Sequence, residues 1–154
     1  MPGCSNRFKK KLLEWFFRER GSMPQHFYIA LVTSAVAPNA DTKLFDELTE
    51  IADGNGYDSG GMQLNPSPTD FDHILEDDTS DLGEIGVRDL IWTASPSGPI
   101  PASGNGARYA VLLDANPTVS ARQVLGWGDL SEDRQVSANK DLIIRNLRMQ
   151  LTEV

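Results

Sequence analysis

Four short stretches of this chain carry residue types that do chemistry. The first is YDSGGM, Tyr57–Met62, similar to the segment around a serine-protease nucleophile. Such chemistry needs Ser59 activated by a histidine that an aspartate orients. His26 precedes Ser59, but its surroundings, PQHFYIA, read as the start of a strand. Tyr57 stands where that pattern has a glycine, and 154 residues are too few for a double-barrel protease. The second stretch, DGNGYDSGG, overlaps the first and offers Asp53, Asn55 and Asp58 to a cation. An EF-hand loop requires a bidentate glutamate at its twelfth position, and from Asp53 that position is Leu64. The third is the acidic run Asp70, Asp72, His73, Glu76, Asp77 and Asp78. In a strand, Asp70, Asp72, Glu76 and Asp78 share one face. Calcium would use only the oxygens and zinc would want more histidine, so a solvated acidic edge that prevents mispairing is the expectation. The fourth, GNG at 104–106, precedes a strand pattern, whereas a phosphate loop needs a helix N-terminus. The residues thus predict no catalytic set, no metal site and no cofactor.

The remaining unusual stretch is the opening, MPGCSNRFKKKLLEWFFRER. Residues 1–22 hold six basic residues against Glu14 and Glu19, a net of +4 in a chain of net charge -8, which leaves -12 for the rest. The spacing predicts a helix over 5–20, with Ser5 capping its start, Gly21 closing its end and Pro24 stopping any continuation. Phe8, Leu12, Trp15 and Phe16 fall on one face, Leu13 and Phe17 widen it, and Lys9, Lys10, Arg18 and Arg20 lie mostly away. Four readings compete: a membrane surface, a nucleic acid, the chain's own body, and a neighbouring subunit. An acidic body argues against nucleic acid, because phosphate neutralisation needs a cationic surface. A short amphipathic helix is stable mainly when its face is buried in tertiary structure, so a packed helix with a free charged side is favoured over a membrane-surface one. The predicted partner-binding residues are Phe8, Lys9, Lys10, Lys11, Leu12, Trp15 and Phe16.

These residues need elements to position them. The length suits one domain, 1–154, with a basic helical arm over 1–22 and a β-rich body over 26–154. The single cysteine, Cys4, forms no internal disulfide and fits a reducing compartment. No apolar run approaches a bilayer span, and LLEWFF, broken by Glu14, does not read as a signal peptide. Residues 26–34 predict a strand with two apolar faces. Leu44, Leu48 and Ile51 predict a short helix. Residues 53–70 are turn-rich. Strands are then predicted at 83–94, 107–114 and 121–130, with a loop or short edge strand at 131–141. The last strand, 142–154, should present Ile143, Leu147, Met149 and Leu151 on one face. Strands at this spacing, with turn signals between them, predict a mainly β chain: an antiparallel sandwich or barrel-like body behind an amphipathic helix.

Three stretches carry a resemblance: FYIALVTS behind a helix, EIADGNGYDSGGMQL, and IWTASPSGPIPASGNGARYAVLLDANPTVSARQVLGWGDL. Their order resembles that in a family of small virion structural proteins of tailed bacteriophages. There, a helix leads into a YxALxTS strand. A glutamate, glycines and a tyrosine follow, here Glu50, Gly54, Gly56 and Tyr57. Next come a W/F-T-A-S strand, an ARYAV strand and a G-x-x-D-L/F ending, here Trp92–Ser95, Ala107–Val111 and Gly126–Leu130. The resemblance implies a non-enzymatic head decoration (cement) protein bound to the major capsid protein, or a tail or fibre component. It implies a homo-oligomer, dimer or trimer, in a virion assembled in the host cytoplasm. The acidic run 70–81 and the strongly basic helix depart from the pattern.

Overall fold

The chain's structure, a computed structural model, describes residues 2–18 and 23–152. The predicted cap Gly21, with Arg20, lies outside them. Strand β2, Phe27–Val32, explains the architecture, because it is apolar on both faces and both are covered. It lies inside a five-stranded antiparallel sheet, between β3 (Met62–Leu64) and β7 (Ala107–Leu113). Beyond β7 come β8 (Val124–Arg134) and the short β1 (Gly3–Cys4). Ile29 and Leu31 join the larger core, which packs against Val87, Leu90, Trp92, Leu142 and Met149 of a second layer. Ala30 and Val32 face the other way, where Phe45 and Leu48 cover them together with Val111 and Leu113. Each such buried aliphatic side chain contributes about 1.5–3 kcal/mol relative to exposure. The result is a mainly β, sandwich-like arrangement of antiparallel sheets with one α-helix near the N-terminus, α1 (Asn6–Arg18).

The second layer corrects two predicted strands. Residues 83–94 form two strands, β5 (Leu82–Val87) and β6 (Leu90–Thr93). Residues 142–154 likewise divide into β9 (Asp141–Ile144) and β10 (Leu147–Thr152). β10 pairs with β5, which also pairs with β4 (His73–Asp77), while β6 pairs with β9. The pairings Val87↔Leu147 and Leu90↔Ile144 keep one register across the break, so the four strands are two halves of a single bent ribbon. Polar residues occupy the bend: Arg88–Asp89 stand opposite Arg145–Asn146, with Arg145 3.4 Å from Asp89. Asn146 takes a left-handed conformation, φ 53. That bend changes the side-chain alternation. Leu142 and Ile144 are buried before it and Leu147 and Met149 after it, so Ile143 does not share their face as predicted.

Two further predictions are corrected. The helix expected around Leu44, Leu48 and Ile51 is only a 3-10 turn, Phe45–Glu47: the Glu47 carboxylate caps its start at the Lys43 and Leu44 N–H groups, but from Leu48 the chain is extended and residues 49–51 bond to the backbone of β2 and Thr33 instead. That turn buries Phe45, not Leu44. Of the loop or short edge strand expected over 131–141, residues 131–134 are strand, continuing β8 past an irregularity in its register with β7, where Ser131 has φ 70.

Candidate partner-binding surface

Helix α1 is fixed to the body at its first turn. Ser5 is fully buried; its Oγ accepts the N–H of Phe8 at 3.1 Å and donates to the Val124 carbonyl at 2.6 Å. The predicted cap is therefore present, and it also joins the helix to β8. Cys4 pairs with Gly126 just before it and is buried, which pushes its thiol up to about 11 despite the nearby positive Lys9. Asn6 adds a backbone bond to the Ala40 carbonyl.

The predicted partner-binding residues divide along the helix. Phe8 is half-buried and packs on the larger core. Lys9 donates to the Thr152 carbonyl at 3.3 Å. Lys11 lies 4.0 Å from Asp114 and 5.8 Å above the Trp15 ring. Leu12 and Trp15 are half-buried. Lys10 projects into solvent, with Glu14 beside it at 3.7 Å. Past the first turns the apolar face leaves the body, and Leu13, Phe16 and Phe17 are 59%, 83% and 73% exposed. The helix sequence predicts a buried face; among the described residues Phe8, Leu12 and Trp15 are half-covered, and Leu13, Phe16 and Phe17 are not.

Beside α1 lies an apolar groove of about 560 Å³. Phe8 forms one wall; Phe27, Phe71 and Ile85 line the rest, and Ile74 of β4 stands 79% exposed at its lip. Phe27 and Phe71 meet edge to face at 5.4 Å. The sequence reading missed this groove. Its one signal is the apolar pair Ile74–Leu75 inside an acidic run, which a purely solvated edge does not need.

The other candidates take structural positions. The Glu50 carboxylate accepts three hydrogen bonds: from Tyr57 Oη at 2.8 Å, Ser59 Oγ at 2.9 Å and the Gly60 N–H at 2.6 Å. Tyr57 is fully buried, and its oxygen accepts the Leu31 N–H at 2.9 Å. Burial, with negative Glu50 adjacent, pushes its hydroxyl well above the usual tyrosine range. Gly61, φ +80, lies so close to Ile29 that any Cβ would strike its carbonyl. These contacts clamp the glycine turn onto β2. His26 meets Tyr28 edge to face at 5.4 Å, and the Tyr28 ring also carries the buried Arg122 guanidinium at 3.5 Å. Asn55 donates to the Pro99 carbonyl, so this side chain of the supposed cation loop docks on the 95–106 loop.

The acidic run also disperses. Asp70 turns to the Asn65 N–H at 2.8 Å and Arg88 at 2.6 Å, and both hold its carboxyl below the ordinary range. His73 meets Glu84 at 3.1 Å, and Asp72 lies 4.0 Å from Arg148. Among the described residues, no three histidine, cysteine or carboxylate side chains gather as a metal site would require. None of the described helices is long and apolar enough to cross a membrane. No family model matches the chain, and no curated protein or solved structure matches it either.

Proposed function

We propose that this chain is a non-enzymatic virion structural protein that decorates the head of a tailed bacteriophage. It binds the major capsid protein lattice and stabilises contacts between capsid subunits by burying surface and adding charge pairs. The observation that carries the reading is helix α1, fixed at Ser5 and Phe8 yet presenting Leu13, Phe16 and Phe17 to solvent. A body does not expose a rigidly rooted aromatic face of this kind without a surface to cover it. The basic side of the helix, with Arg7, Lys10 and Arg18 exposed, suits an acidic lattice. The order of strand and turn motifs favours a phage particle over other assemblies. A tail or fibre location is the second reading; the turn at 53–62 and the loop at 95–106, joined by Asn55, would then form a two-loop platform suited to host-surface recognition.

The test is co-sedimentation of purified protein with undecorated phage heads and, separately, with tails. The full chain is expected to pellet with heads, and a folded chain lacking residues 1–22 is expected to stay in solution. A truncated chain that still decorates heads would sink the attachment role of α1. Pelleting with tails alone would replace the head reading by the second.

A further inference from the structure

The exposed face of α1 and the groove beside β4 are one continuous apolar surface. Met23 belongs to both, touching the cluster around Leu13, Phe16 and Phe17 and also lining the groove with Phe8 and Ile74. The two halves differ in shape. One is a knob, the Phe16 and Phe17 rings packed edge to face at 5.1 Å and projecting outward. The other is a hole with an open apolar lip at Ile74. They also differ in charge. Exposed Lys10 and Arg18 share the helix with the knob, whereas exposed Asp72 and Glu76 flank Ile74 in sequence and Asp78 follows. Strand alternation puts Glu76 on the same side of β4 as Ile74, and Asp72 immediately precedes the strand.

We infer that a second copy of this chain covers this surface. The two copies are related by a twofold axis, and each seats Phe16 and Phe17 in the other's groove. Knob and hole lie on one continuous surface, so a twofold brings each onto its complement and closes the assembly. The same operation places the basic rim of one copy over the acidic rim of the other. Pairing of two β4 edges would instead set carboxylates against carboxylates, which is how acidic edge strands resist self-association. An anionic lipid surface would meet Asp72 and Glu76 as like charges. The inference rests on the reading of α1 as an assembly element; it assigns Phe16, Phe17, Lys10 and Arg18 to a second copy, so that attachment to the capsid lattice depends on α1 through the dimer and not through direct contact of these four side chains.

Light scattering on the full chain, with circular dichroism as the check on folding, tests it. The wild type is expected to be a dimer that weakens as salt rises. Phe16→Glu changes a side chain already in solvent in the single copy, so it is expected to fold normally and to loosen the dimer about a hundredfold, the scale of an aromatic hot spot. Lys10→Glu with Arg18→Glu should weaken association about tenfold, and adding Glu76→Lys with Asp78→Lys should restore it. A monomer at every soluble concentration overturns the inference, as does a dimer indifferent to Phe16→Glu or a monomer that binds anionic vesicles through α1. Failure here is separable from failure of the decoration reading. A monomer that pellets with phage heads refutes the twofold and leaves decoration standing. A Phe16-dependent dimer that ignores heads does the reverse.

Discussion

Tyr57 is the residue on which the glycine turn depends. Its hydroxyl is bonded on both sides, accepting the Leu31 N–H and donating to Glu50, inside a core that excludes water. Phenylalanine would fill the same space and leave a backbone donor without its partner. Tyr57→Phe is expected to destabilise the chain by about 1–3 kcal/mol, the cost of an orphaned buried polar group, read as a lower urea midpoint with an unchanged slope. Ser59→Ala removes only an exposed bond to the same carboxylate and should cost well under half as much. If the two variants lost equal stability, Glu50 and not Tyr57 would be the anchor of the turn.

Among the elements, the bent ribbon makes the sharpest demand on sequence. Asn146 at φ 53 sits where the chain turns between β9 and β10, in a region that asparagine and glycine enter at little cost. Asn146→Gly is expected to be tolerated, and Asn146→Val to cost roughly 1–2 kcal/mol, checked by thermal melts of the two variants. The same bend shows what was legible in the sequence. Alternation placed strands over 83–94 and 142–154, and the two halves of the ribbon do occupy those ranges. A pair of polar residues in each segment interrupts them, and period-two patterns carry no information about a bend that changes their phase. The β2 strand with two apolar faces and the Ser5 cap were legible because local composition decides both. The groove was not, since Phe8, Phe27, Phe71 and Ile85 come from four separated segments and meet only through the topology. The short helix at 44–51 failed for a non-local reason: Glu47 caps the start of a turn, but residues 49–51 bond to the backbone beside and within β2, a partner that helical spacing does not reveal.

For the molecule as a whole, the titrating groups define a pH window. Asp70 and Asp129 are held below the ordinary carboxylate range, Asp70 by the Asn65 N–H and Arg88, Asp129 by Arg108 and the Ser131 N–H. A depressed folded value gives stability that is present above the unfolded pKa, so it is lost as pH falls below about 4. Cys4 acts at the other limit. Burial raises its thiol from 9.0 to about 11, so its contribution is complete below pH 9 and declines as pH rises through that interval. The full loss is roughly 3 kcal/mol. Denaturant titrations at stepped pH should show a plateau between these limits. Cys4→Ala should flatten the first part of the alkaline decline and leave the later part, where Tyr57 must ionise. A wild-type curve flat from pH 8 to 11 would contradict the burial of both groups.

The ribbon has a consequence for how the molecule opens. One half of each of its arms, β6 and β9, packs under the five-stranded sheet, and the other half, β5 and β10, carries β4 and the groove. Because a single register runs through both, peeling the outer sheet pulls on the pairs beneath the core. Amide protons of Leu90–Thr93 and of Leu147–Met149 should therefore exchange with deuterium in a common event, at the rate of global unfolding. The apolar lip at Ile74 is then held by the same cooperative unit as the centre of the protein, and it presents a fixed shape to whatever binds there.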